Sequence, residues 1–267
     1  MGRIKYLFLK LIMALLLLVL MPSGFSADAG YIFLRSGKKL TSSDITADAK
    51  GNIFYLSTEG RLVIPKDMVK YVIVNRPVAL VEAKTLLTKG NYSVAVKRYV
   101  ALAKKYRFLG WYSCALAGQA TALQRQGKNS EVELLVKPLL SYKSNCFEHE
   151  EPFLLKAYSI YAEVLLKEQR YEAMIPLIYR LKRGSDGELS AWAFNIAGQR
   201  LIEQQKYREA AREFIQPVLL YDRKNRHRRE SLQLLIDCLA KFDKKLSIFY
   251  LNRLKNEYND SILSSYR

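Results

Sequence analysis

Histidine is almost missing from this chain of 267 residues: only His149, in "FEHEEP", and His227, in "KNRHRRE", are present. Neither has a second histidine or a cysteine at metal-ligand spacing, which excludes the short zinc motifs. No phosphate-cradling glycine loop, dinucleotide fingerprint or G-x-S-x-G turn occurs. Ser36 to Lys39 matches S-x-x-K, but the partner motifs of acylating serine enzymes are missing and the match falls on a Ser-Gly-Lys turn. Cysteine is scarce too. Cys114, Cys146 and Cys238 cannot all pair within one molecule, and no spacing selects a pair, so they read as buried free thiols with their pairing left open. With no nucleophile set beside a base, the chain is expected to be no enzyme, with no catalytic residue, metal ligand or cofactor.

Acidic residues are also in short supply. Asp and Glu number 25 against 43 Lys and Arg, a formal charge of +18. Arg3, Lys5 and Lys10 open the chain, and an unbroken apolar run follows from Leu11 to Met21. Pro22, Ser23 and Gly24 break the run, and Ser26-Ala27-Asp28-Ala29 offers small residues for cleavage. This is the layout of a secretory signal over residues 1–27, and the run is short for a membrane span, which needs about 20 residues. Export to the periplasm or medium is the expectation, with an inner-membrane anchor over residues 7–21 as the alternative. No cysteine lies near the cleavage region, so lipid attachment there is not expected. Export also moves the expected counter-charge from nucleic acid to acidic lipids, anionic envelope polymers or an acidic protein.

Residues 28–76 read as a small β-rich domain. "YIFLRSGKKL", "GNIFYLSTEGRLVIP" and "VKYVIV" are short runs of β-branched and aromatic residues separated by Ser36-Gly37-Lys38, Lys50-Gly51-Asn52 and Glu59-Gly60. Three or four antiparallel strands are predicted, with a hairpin around Thr58-Glu59-Gly60-Arg61 and a strand end at Pro65. The pattern resembles the compact Src-homology-type or Sm-like barrels that precede helical repeats in some envelope proteins. It implies either a docking module or a cap on the next domain.

From Pro77 to the end, residues 77–267, the apolar period becomes helical and one spacing recurs. It runs Gly90-x-Tyr92-x-x-Ala95 with Tyr99 and Leu102, then Gly127-x-Asn129-x-x-Val132 with Val136 and Leu139. It continues as Gln169-x-Tyr171-x-x-Met174 with Ile178 and Leu181, and Gln205-x-Tyr207-x-x-Ala210 with Phe214 and Pro217. A worn fifth copy is Phe242-x-Lys244-x-x-Ser247 with Leu251 and Leu254. Successive copies lie 37, 42, 36 and 37 residues apart, and a second helical pattern precedes each. Offsets of three, seven and ten share one helical face, so each unit is a helical hairpin that must stack on its neighbours to bury that face. The Gly or Gln makes the turn, the tyrosine closes it on the preceding helix, the small residue allows close approach, and the aromatic fills the gap to the next hairpin.

This pattern resembles the tetratricopeptide repeat (TPR) family, most closely in the first and fourth copies. The resemblance implies a mainly α fold: a solenoid of stacked antiparallel hairpins, about five, behind the small barrel-like β domain. The Trp-Leu-Gly signature of the first helix is largely missing, and the 42-residue interval implies an insertion around "YKSNCFEHEEP". Within that stretch "EHEE", residues 148–151, is expected to cap a helix starting near Pro152. The family likeness implies a non-catalytic scaffold that grips an unidentified protein or peptide with first-helix residues such as those around Tyr112, Tyr158 and Trp192. A basic cluster at Arg223, Lys224, Arg226, Arg228 and Arg229 is a second candidate, as a patch for an anion or an acidic partner. A structural envelope component binding anionic wall or membrane polymers is the alternative reading.

Overall fold

A computed structural model describes residues 29–142 and 147–258. The secretory-signal reading of residues 1–27, and Cys146, lie outside the described residues. The chain divides into two compact units on either side of Pro77 and Val78.

Among the described residues the first unit contains six short antiparallel strands in two three-stranded sheets, where three or four strands were expected. Sheet one has the order β2-β1-β6, from Lys39–Ser42, Gly30–Leu34 and Val69–Val74. Sheet two has the order β3-β4-β5, from Ile45–Ala47, Ile53–Ser57 and Gly60–Ile64. The barrel-like expectation is corrected here: the two sheets are hydrogen-bonded separately and do not close. The strands are three to six residues long, and among the described residues no ladder of strand pairing joins one sheet to the other. The β4–β5 hairpin turns between Ser57 and Gly60, and Pro65 follows β5 directly, both as expected. Ile32, Ile45, Ile53, Val72 and Val74 form the buried interior. Ser42 of β2 links the two sheets: its hydroxyl donates to Leu56 O at 3.0 Å and accepts from Leu56 N at 3.1 Å.

The second unit is ten α-helices among the described residues, arranged as five hairpins. They are α1 (Val78–Thr88) with α2 (Tyr92–Lys105), α3 (Tyr112–Arg125) with α4 (Asn129–Val136), α5 (Phe147–Lys167) with α6 (Tyr171–Lys182), α7 (Gly187–Glu203) with α8 (Tyr207–Leu220), and α9 (Arg226–Ala240) with α10 (Lys244–Tyr258). Each hairpin's first helix also packs on a neighbouring hairpin, as in α2 with α3, α3 with α5, and α8 with α9. That cross-packing is what buries the apolar faces a lone hairpin leaves open.

The hairpin turn has one physical cause in four copies. Gly90, Gly127, Gln169 and Gln205 all have positive φ, at 79°, 72°, 56° and 58°. The left-handed residue lets its own amide and the next one fold back onto the helix end. Asn91 N bonds to Leu86 O at 2.9 Å and Gly90 N to Leu87 O at 3.2 Å. The same pair of bonds recurs from Lys128 and Gly127, from Arg170 and Gln169, and from Lys206 and Gln205. The following tyrosine or asparagine is then the first residue of the second helix. The fifth turn differs: Phe242 and Asp243 both bond to Leu239 O, without a left-handed residue.

The position three residues into the second helix is buried in every copy, at Ala95, Val132, Met174, Ala210 and Ser247. Two contacts depart from the expected roles. Tyr171 has a contact the repeat pattern did not announce. Its ring lies under the Arg200 guanidinium of α7, 4.3 Å away, because α6 and α7 leave that side open. Phe214 lies against Gly198 of its own hairpin, where an added Cβ would meet the ring at 2.5 Å, as well as in the core shared with α9 and α10.

Pro152 does not begin a helix. It stands inside α5, which starts at Phe147. Within the acidic run, Glu150 is buried and serves α3: its carboxylate accepts from Ser113 N at 3.3 Å and Ser113 Oγ at 3.1 Å, at the open N-terminal turn of that helix.

Candidate functional site

An apolar groove opens between α6 and α7. Its lining includes Met174, Ile178, Ile196, Ala197 and Leu201, with Ile175 and Tyr179 standing 59% and 57% exposed beside them. The groove encloses about 330 Å³. Among the described residues that line it, Lys182 and Arg200 are charged and none is a carboxylate. The two cations are held in place from outside: Lys182 Nζ bonds to Glu213 on α8 at 2.5 Å, and Arg200 to Glu203 at 2.7 Å. Arg200 Nε is buried without a hydrogen-bond partner among the described residues, which leaves one donor at the groove unused. Arg183 donates to the Tyr179 hydroxyl at 2.6 Å, fixing that exposed ring on the rim.

The expected binding residues do not meet here. Tyr158 is core: it is buried and donates to Leu139 O at 2.7 Å, and burial pushes its phenol up. Tyr112 is half-buried against the Tyr142 ring, 5.7 Å away, and Trp192 is half-buried on α7. Sequence reasoning placed the partner surface on first helices and missed Ile175 and Tyr179 on a second helix. The available signal was their position: they stand one and five residues beyond Met174, off the face that the repeat buries.

The basic cluster also separates. Arg228 is 3% exposed and points into the protein, donating to Glu257 and to the Tyr258 hydroxyl at 2.8 Å, so it is removed from the proposed patch. Arg226 pairs with Glu188 at 3.1 Å, and Arg223 lies 4.0 Å from Glu257. Lys224 is exposed, and Arg229 is half-buried near the Tyr258 ring. The run reads as a block of charge in sequence, but the fold spends much of it on carboxylates of neighbouring helices.

The histidines are separate as well. His149 stands edge-on to Trp111 at 4.6 Å, and His227 Nδ1 lies 3.5 Å from Glu230. Among the described residues no group of three His, Cys, Asp or Glu could hold a metal. Cys238 is buried, and burial together with the Asp237 carboxylate pushes its thiol up to about 11, away from the reactive thiolate. No described helix is long and apolar enough to cross a membrane.

These features define a class: a TPR-like α-solenoid of stacked hairpins that follows a small antiparallel β unit along the chain. No protein-family model matches the chain, and no curated protein does. Among solved structures it is similar to the nearly identical TPR-like repeats of a Podosopora anserina kinesin light chain, at 12% identity and a TM-score of 0.46, covering 67% of this chain and 92% of that one. A second structure of the same repeats, a point variant, gives the same values.

Proposed function

We propose that this protein is an exported, non-catalytic scaffold of the bacterial cell envelope that binds a partner protein or peptide on its helical repeats. The groove between α6 and α7 takes an apolar side chain flanked by carboxylates. The observation that carries this is the groove itself: an apolar wall with two exposed large side chains, whose charged residues are both cations. Burying an apolar anchor supplies most of the free energy, and the Arg200 guanidinium, whose Nε has no partner among the described residues, favours an acidic flank. The basic start, the apolar run from Leu11 to Met21 and the small residues before Ala29 support export.

Fluorescence anisotropy with labelled peptides tests the groove. A Leu or Phe peptide with Asp/Glu flanks should bind, and the same peptide with Lys flanks or with Ser at the anchor should not. Ile175→Asp should abolish binding and Arg200→Gln should weaken it. Equal binding of acidic and basic peptides would overturn the reading. Export is tested separately, by the mass of the chain recovered from the envelope: it should lack the residues before the Ser26-Ala27-Asp28-Ala29 region.

A further inference from the structure

A second positive surface lies in the first hairpin, well outside the basic cluster that the sequence singles out. Residues 78–110 carry Lys84, Lys89, Lys97, Arg98, Lys104, Lys105 and Arg107 against a single acid, Glu82. All seven cations are exposed. Among the described residues, Lys84, Lys89, Lys97, Arg98, Lys104 and Arg107 take part in no ion pair. The other second helices differ. The acids Glu131 and Glu133 lie on α4, Glu172 on α6, Glu209 and Glu213 on α8 and Glu257 on α10, whereas α2 has no acid at all.

The arrangement on α2 is one-sided. Ala95, Tyr99, Leu102 and Ala103 are buried. Val94, Lys97, Arg98, Ala101 and Lys104 recur three and four residues apart on the opposite side, with Val94 and Val100 each 49% exposed. From Val94 to Lys104 the strip is roughly 15 Å long. Cations around partly exposed valines suit adsorption on an anionic headgroup layer: the valines rest against it while the lysine stems reach the phosphates. Lysine predominates in the hairpin, and a hydrated point charge on a flexible stem suits a diffuse anionic surface better than a discrete bidentate acceptor. A strand of nucleic acid would be expected to find aromatic stacking partners, and the outward face of α2 has none.

We propose that the outward face of α2 docks on an anionic lipid surface, leaving the α6–α7 groove to its partner. This inference stands apart from the groove reading, because no residue is shared.

The test is vesicle flotation of the full chain, with phosphatidylcholine vesicles containing about one-third phosphatidylglycerol and with phosphatidylcholine alone. Neutral vesicles read every contribution that does not depend on lipid charge, including that of Leu11 to Met21, which all variants keep. The wild type should prefer anionic vesicles. The combined Lys97→Gln, Arg98→Gln and Lys104→Gln variant should lose roughly 100-fold in apparent affinity for them, at about fivefold per cation near an anionic leaflet. Lys241→Gln, Lys244→Gln and Lys245→Gln together remove the same charge from the last hairpin and should change little. Val94→Ser with Val100→Ser keeps the charge and should still weaken binding several-fold. Equal losses in both charge variants, or no preference for anionic vesicles, would overturn the proposal. So would soluble polyglutamate bound equally by wild type and valine variant, with vesicles left unbound.

Discussion

Arg228 of α9 and Glu257 of α10 form a buried ion pair that holds the last hairpin together, with their side chains 4% and 9% exposed. Arg253 completes the site, donating to the other carboxylate oxygen at 2.6 Å. Hydrogen bonding from Arg228 holds the Glu257 carboxyl down at about 2 against the opposing effect of burial, with Arg253 adding to the depression. A carboxylate depressed in the folded state stabilises it fully above the unfolded value near 4.5 and loses that contribution as pH falls through about 2. Removing one partner leaves the other charge buried without compensation, so Glu257→Gln should cost about 3 kcal/mol at neutral pH. Thermal melts of wild type and variant should differ most above pH 4.5 and converge as pH approaches 2. A difference that persists unchanged to pH 2 would remove the carboxylate as its cause.

Gly198 sits against the Phe214 ring with no room for a methyl group: an added Cβ would lie 2.5 Å from one ring carbon and 2.6 Å from another. Phe214 is fully buried in the core of the last two hairpins and cannot swing into solvent. Gly198→Ala should therefore cost about 1–3 kcal/mol through overpacking, although alanine is the better helix former. Phe214→Leu alone should also destabilise, by opening a cavity. In the double variant the two losses should be less than additive, because the smaller side chain makes room for the new methyl. Urea unfolding of the four proteins measures the coupling, and strict additivity would refute the contact as the cause.

The architecture was legible because the repeat is a backbone requirement written in side chains. A left-handed residue, a helix start and a small buried position are all local, so Gly90-x-Tyr92-x-x-Ala95 announces them without knowledge of the fold. Interactions between hairpins were harder to read. Glu150 looked like a cap for its own helix, yet it serves Ser113, 37 residues earlier. Arg228 looked like surface charge because its partner lies 29 residues later. Tyr158 looked available because its acceptor is a main-chain carbonyl in the connection between α4 and α5. The sheets failed for a similar reason: alternation marks strands, but which strands close or stay open depends on lengths and register. The candidate groove lacked any motif, since it consists of side chains that the repeat does not bury.

Gln169 and Gln205 occupy left-handed backbone positions that glycine fills in the first two turns, with φ of 56° and 58°. For a residue with a Cβ this region costs about 1–2 kcal/mol. Glycine relieves the strain but brings a larger loss of unfolded-chain entropy, so only part of the gain survives. Gln169→Gly and Gln205→Gly should each stabilise the chain by about 0.5–1 kcal/mol. Because the turns lie in different hairpins with no shared contact, the double variant should show nearly the sum. The fifth turn supplies the control. Phe242 has no positive φ, and its amide reaches Leu239 O at 3.0 Å in ordinary right-handed geometry. Phe242→Gly should therefore destabilise, losing both the half-exposed ring and chain stiffness. Denaturation midpoints for the three variants decide it: if Phe242→Gly also stabilises, flexibility rather than left-handed strain governs these turns.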